Sequence, residues 1–228
     1  MASANASIRS WVISSHSPDP RSSPIAAFSS STLLNVRVLF VIVDVVYRGP
    51  MSAPRVTPGG LRELGGFNFV FARGAARVIG VDDAHIFSTL GRAKGLFRGW
   101  LHFSGRLMPF GTLPRKDSEM IIIRVAHLRG CEYELDHHRR LGRRAGIGDV
   151  EFERILEGPD AGWGDRERAI LRAVDELVAD KDVSDIAWAA LSRHLDDRKL
   201  IEFTLLVGQY DSLATTIHTL RIQRDRHT

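Results

Sequence analysis

Cysteine is nearly absent from this chain: 228 residues contain one, Cys131. A lone thiol excludes an intramolecular disulfide framework, a zinc site built from cysteines alone, and a two-thiol redox cycle within one subunit. A long hydrophobic run is also missing. The most apolar stretch, residues 36–47 (VRVLFVIVDVVY), is too short to span a bilayer and carries Arg37 and Asp44. No secretory signal fits, because this stretch starts far from the N-terminus and no small-residue cleavage site follows it. No repeat of 20–50 residues is present. Charge of one sign is not in large excess: 31 Lys+Arg face 27 Asp+Glu, a net of +4. That balance calls for neither a nucleic-acid nor a membrane partner, since such partners need charge clustered on one face. With 44% hydrophobic and 25% charged residues, the composition is that of a globular protein.

Acidic residues are scarce at the start. Residues 1–50 hold only Asp19 and Asp44, yet 11 of the 18 serines. This stretch shows no sustained period of 2 or 3.6. It reads as a Ser-rich extension, disordered or not part of the native protein, with Met51 (MSAPRVTPGG) resembling an ordinary protein start. Residues 51–228 read as the folded domain, with 27 Lys+Arg against 25 Asp+Glu.

Strand-like alternation is rare in that domain, and helical signals fill it. The first predicted helix covers 82–99, capped by Asp82 or Asp83, with Ile86, Leu90 and Leu96 on its apolar side. A short apolar segment, 101–108, ends at Pro109 and Gly111. Pro114 sits at the first turn of the next helix, 115–129, where proline is tolerated. The run from Met120 to Ala126 (MIIIRVA) would also suit a buried strand, but its length and capping signal favour a helix. Gly130 ends it. Further helices are predicted over 131–144, 149–156, 165–180, 184–194 and from Asp196 or Asp197 to about Arg224. The predicted fold class is all-α, a compact helical domain with short connections.

Chemistry concentrates around Cys131. In a helix that starts there, Cys131, Glu134 and His138 fall at i, i+3 and i+7, on one face. The helix dipole would lower the thiol pKa. Glu134, four residues before His138, would fix its tautomer and poise it as a base near neutral pH. Glu119, on the preceding helix, would bring a second carboxylate, suited to acid–base work. Glu134 and His138 also have zinc-ligand spacing, with Glu119 or His218 as further candidates, but nothing in the spacing demands a metal. No metal and no other cofactor is expected. Arg124 or Arg129 would be available for a substrate carboxylate, although solvent or a neighbouring side chain is the more ordinary partner of each. The basic run from His137 to Arg144 lacks interleaved aromatics and reads as a solvated or intersubunit face rather than a nucleic-acid site.

Two segments carry a resemblance: LPRKDSEMIIIRVAHLRGCEYELDHHRRLGRRAGI (residues 113–147) and IEFTLLVGQYDSLATTIHTLRI (residues 201–222). They resemble the carboxymuconolactone decarboxylase family, which shares its fold with alkylhydroperoxidase D. The resemblance covers roughly residues 96–226. It implies an all-α alkylhydroperoxidase D-like domain that assembles into homo-oligomers, and catalytic positions at Glu119, Cys131, Glu134 and His138. Glu134 stands where the peroxidase branch has its attacking cysteine, so Cys131 matches only the resolving one, and the thiol cycle of that branch cannot run within one subunit.

The leading expectation is therefore a carboxymuconolactone decarboxylase-like enzyme. It would act without a cofactor on a small organic acid or lactone through a Glu/Glu/His acid–base site, with Tyr133 closing the substrate pocket. The first alternative is alkylhydroperoxidase or peroxiredoxin-like activity through Cys131 and an external thiol. The second is a non-catalytic helical binding module. The partner expected is a small-molecule substrate, the assembly a homo-oligomer, and the location cytoplasmic.

Overall fold

In a computed structural model, residues 53–226 are described, and all belong to one unit, Ser52–Thr228. The expectation for residues 1–50 lies outside the described residues. The apolar periodicity gives helices and, among the described residues, no strand. In chain order these are α1 (Leu61–Leu64), α2 (Gly66–Ile79), α3 (His85–Leu90), a 3-10 turn (Gly91–Ala93) and α4 (Gly95–Leu107). Then come α5 (Arg115–Leu128), α6 (Glu132–Arg144), α7 (Asp149–Glu157), α8 (Asp165–Asp180), α9 (Asp185–Leu191) and α10 (Asp197–Leu220). The fold is all-α, as the sequence predicts.

A helix buried on every side lies at the centre of a domain, and α5 is that helix, with every residue from 117 to 126 buried. Ile121, Ile122, Ile123 and Val125 are fully buried. They pack into one core with Ile170, Leu171 and Val174 of α8 and Phe203 and Leu206 of α10. Burying side chains of this size stabilises the fold by roughly 1.5–3 kcal/mol each as an upper bound, which is why tertiary packing settles the helix-or-strand ambiguity of MIIIRVA. The polar side chains of α5 are buried only in company. Arg124 donates to both oxygens of Asp175 (2.6 and 2.8 Å) and to the carbonyls of Ile155 (3.1 Å) and Leu156 (2.6 Å). Arg129 pairs with Asp211 (3.1 Å) and donates to Thr215 (3.0 Å). Of the partners open to these arginines, a substrate carboxylate or a neighbour, both take a neighbour: the guanidiniums are engaged in holding helices together.

The ends of α5 follow the sequence signals. Pro114 immediately precedes it, and Gly130, at φ +59°, makes the left-handed turn that lets Cys131 N–H reach the Ala126 carbonyl (2.8 Å) and α6 begin. Ser184 and Asp196 cap α9 and α10 through their side chains, accepting from Ala187 N–H and Lys199 N–H.

Three expectations are corrected. The helix predicted over 82–99 is broken: Lys94, at φ +48°, ends the 3-10 turn and sets a new direction, so α4 runs on through the segment expected to be separate. Neither Asp82 nor Asp83 caps α3; Ala84 takes that position, and Asp83 accepts the Ser88 hydroxyl instead. The last helix stops at Leu220 rather than near Arg224. There Arg221 adopts a left-handed conformation, Ile222 N–H bonds back to Ile217, and buried Ile222 starts a non-helical strap.

The basic run is largely paired within the chain. Arg143 and Arg139 reach Asp149, Arg139 also covers the Phe152 ring, and Arg140 donates to His137 Nδ1. Among the described residues no helix is long and apolar enough to cross a membrane.

Candidate active site

The tight turn at Gly130 folds α6 back along α5, so residues 19 apart in sequence meet in the interior. His138 lies between two carboxylates. Its Nδ1 is 2.7 Å from Glu119 Oε2, and its Nε2 is 3.3 Å from Glu134 Oε2. All three side chains are buried. Arg115, one turn before Glu119 on α5, places its guanidinium 2.7 Å from Glu119 Oε1. The chain Arg115–Glu119–His138–Glu134 therefore alternates in sign and closes near neutrality when the ring is an imidazolium. A neutral imidazole would serve only one of the carboxylates as a donor. Burial alone would depress the His138 pKa, but the hydrogen bonds to Glu119 and Glu134 outweigh it and hold the group up at about 9. The expectation of a base poised near neutrality is corrected: His138 is built to carry a proton at pH 7.

Glu134 and His138 form part of the wall of a cavity of about 370 Å³ lined by α2, α3, α4, α6, α10 and the Met108–Phe110 bend. The rest of the wall is mainly apolar and aromatic, with Phe87, Trp100, Phe110 and Tyr210 among its rings. Tyr210 meets His138 edge to face, with centroids 5.2 Å apart. At the same wall Gln209 Nε2 donates to Ser104 Oγ at 3.0 Å.

Glu119 does not reach the cavity surface; it stands behind His138. Cys131 does not reach it either. It is the N-cap residue of α6, fully buried among Ile86, Leu213, Ala214 and Ile217. Burial pushes its thiol up to about 12, and the carboxylates of Glu134 and Glu132 add to this, outweighing the helix-terminus effect. The expected lowering of the thiol pKa is therefore reversed.

Tyr133 does line the cavity, but its hydroxyl is turned to a neighbouring cluster. It donates to Asp225 Oδ2 (2.8 Å) and accepts from Ile86 N–H (3.2 Å). Asp225 also accepts from His137 Nε2 (3.0 Å) and His85 N–H (3.0 Å) and pairs with His85 Nδ1 (2.9 Å). Burial would raise the Asp225 pKa, but these donors hold it well below the usual carboxylate range.

Several wall residues escaped the sequence reading: Trp100, Ser104, Gln209, Tyr210 and His137. An aromatic or glutamine on an amphipathic helix carries no mark that separates a cavity wall from ordinary core. Among the described residues no group of three or more His, Cys, Asp or Glu is arranged to hold a metal ion, and both His138 nitrogens already face carboxylates.

No curated protein matches the chain. Solved structures do. An alkylhydroperoxidase AhpD core, an uncharacterized peroxidase-related protein from Ralstonia eutropha JMP134, is 19% identical, with 77% of this chain and 93% of that one covered at a TM-score of 0.66. A peroxidase-related protein from Silicibacter sp. TM1040 is 14% identical, with 78% and 89% covered at a TM-score of 0.62. The debrominase Bmp8, a cysteine-to-alanine variant in complex with 2,3,4-tribromopyrrole, is 15% identical, with 75% and 92% covered at a TM-score of 0.63. These likenesses show an alkylhydroperoxidase D-like fold. Residues 94–176, which include Glu119, Cys131, Glu134 and His138, match the sequence model of the Carboxymuconolactone decarboxylase family and support the resemblance read from residues 113–147.

Proposed function

We propose that the protein is an acid–base enzyme for a small unsaturated organic acid or lactone, with His138 as proton donor and Glu134 as the carboxylate that passes the proton to substrate. One observation carries this reading: the Glu134–His138 pair lies at the wall of an apolar cavity, with His138 held protonated from behind by Glu119. Glu119 is then a positioning residue.

The arrangement suits decarboxylation. The bond from the ring carbon to the carboxylate breaks and carbon dioxide leaves. The electron pair flows into the adjacent unsaturated system, and the carbon that gains it takes the proton from the His138–Glu134 pair. Water restores that proton between turnovers. Apolar walls strip water from the substrate carboxylate, which favours loss of carbon dioxide. General acid catalysis of this kind contributes about 10²- to 10⁴-fold. The peroxidase alternative asks for a thiolate that meets peroxide, whereas Cys131 is buried away from the cavity with a raised pKa. A bare binding module has no need of an imidazolium between two buried carboxylates.

The test compares the full chain with His138→Gln and Cys131→Ser on carboxymuconolactone-type acids and, separately, on an organic peroxide with a dithiol. The reading expects carbon dioxide release that falls about 10²-fold or more in His138→Gln and persists in Cys131→Ser. Peroxide consumption that Cys131→Ser abolishes and His138→Gln spares would overturn it.

A further inference from the structure

We propose that Tyr210 is a further catalytic residue, whose hydroxyl donates a hydrogen bond to the carbonyl oxygen of an unsaturated lactone as negative charge develops there. The inference deepens the reading above and rests on the cavity being the substrate site.

Tyr210 lies on α10 and lines the cavity. Its ring is fixed: it packs against the Ile121–Phe203 core, against the cluster of Cys131, Leu213 and Ile217, and edge to face on His138. Its hydroxyl has no hydrogen-bond partner among the described residues, and it is not one of the atoms sealed in the interior without a partner. It therefore meets open space, and the open space at Tyr210 is the cavity. Burial, and after it the charges of Glu134 and Glu119, push the hydroxyl pKa well above its ordinary value, so the group keeps its proton and serves as a donor. The 5.2 Å between the Tyr210 and His138 rings lets one small ligand ring touch both walls.

The reaction proposed above creates the need for such a donor. As carbon dioxide leaves, its electron pair moves through the adjacent double bond onto the lactone carbonyl oxygen and gives an enolate. No lysine or arginine lines the cavity to meet that charge, and the His138 nitrogens face carboxylates. The Tyr210 O–H donates to the enolate oxygen without giving up its proton. The pair then returns, the carbonyl re-forms, and the carbon end of the system takes the proton from the His138–Glu134 pair. A fixed donor in a site stripped of water stabilises the charge far better than it would in solution.

The test compares the full chain with Tyr210→Phe, which keeps the ring and removes only the hydroxyl. No protein hydrogen bond is lost, so the variant should melt with the native chain. On carboxymuconolactone-type acids, kcat for carbon dioxide release should fall about 10²- to 10³-fold with KM nearly unchanged. Calorimetry supplies an arm that needs no turnover. Tetronate is a stable five-membered lactone enolate, and γ-crotonolactone is a neutral counterpart. Tyr210→Phe should bind tetronate about 10-fold more weakly than the native chain does, and γ-crotonolactone about equally. An unchanged kcat, an effect confined to KM, or tetronate binding that is absent or the same in both proteins overturns the role of Tyr210 while leaving the acid–base reading intact. A Tm well below native would place the hydroxyl in a bond within the protein and overturn it as well. No carbon dioxide release by the native chain overturns the acid–base reading, and this role with it.

Discussion

His138 is held unequally by its two carboxylates: Glu119 approaches its Nδ1 to 2.7 Å, and Glu134 its Nε2 only to 3.3 Å. The short contact is on the closed side, toward α5, and the long one is on the cavity side. The ring is therefore anchored on its closed side and held more loosely toward the cavity.

That anchoring has a pH signature. An unfolded histidine titrates at about 6.5, and His138 in the fold is held at about 9. Folding thus takes up a proton between those values. The stabilisation is complete below the lower one and is lost as pH rises through the upper one. Thermal melts from pH 6 to 10 should show Tm falling across this window. His85, whose pKa its bond to Asp225 also raises, adds a fall of the same sign. The difference between the native chain and His138→Gln isolates the His138 share. Parallel curves for the two proteins would contradict the assignment.

Cys131 should be chemically quiet. With its thiol fully buried and pushed up to about 12, the thiolate fraction at pH 8 is on the order of 10³ lower than for a free cysteine. A disulfide reagent such as dithionitrobenzoate should modify the native chain very slowly and release one equivalent promptly in denaturant. Rapid modification of the folded protein would reinstate a reactive thiol.

The bend that brings Met108 and Phe110 to the cavity hangs on Glu202. This carboxylate accepts from Thr112 N–H (2.7 and 2.8 Å), Thr112 Oγ (2.6 Å) and Leu113 N–H (2.9 Å). Glu202→Gln replaces one acceptor with a donor facing donors and should cost about 1–3 kcal/mol in urea unfolding. Gly111→Ala should be at least as damaging, because its Cβ would stand 2.2 Å from Glu202 Oε1 and 2.4 Å from the Leu107 carbonyl. Near-native stability of both variants would show that the bend is held by something else.

How far the site was legible follows from these contacts. Glu119, Glu134 and His138 could be placed together because helical spacing puts 134 and 138 on one face and Gly130 marks the turn between α5 and α6. Protonation states are not legible in this way, because the dipole argument for Cys131 and the neutral-pH argument for His138 are local. Burial and the Glu119 contact come from the tertiary fold. Spacing puts Tyr133 at the pocket, but its hydroxyl partner, Asp225, lies 92 positions away, beyond the reach of any spacing rule. The break at Lys94 is silent in the sequence because a single left-handed residue leaves the apolar pattern on either side intact.

Asp225 ties the C-terminal strap to α3 and α6 through His85, Tyr133 and His137. Its carboxylate is held below the ordinary range by donors that outweigh burial, so its stabilisation is present above an unfolded aspartate's pKa of about 4 and lost as pH falls. Asp225→Asn puts an amide among four groups that face the carboxylate, the Tyr133 hydroxyl, His137 Nε2, His85 N–H and His85 Nδ1, and should cost about 3 kcal/mol. The loss should show as a lower Tm at pH 7 and a flatter Tm between pH 3 and 6. An unchanged melt would mean the cluster is ornamental.

The same tie orders events during synthesis. Ile86 N–H reaches the Tyr133 hydroxyl directly, but the link from His85, at the start of α3, to Tyr133 and His137 runs through a residue made 140 positions later. During synthesis this wall of the chamber therefore lacks its carboxylate tie until residue 225 is made.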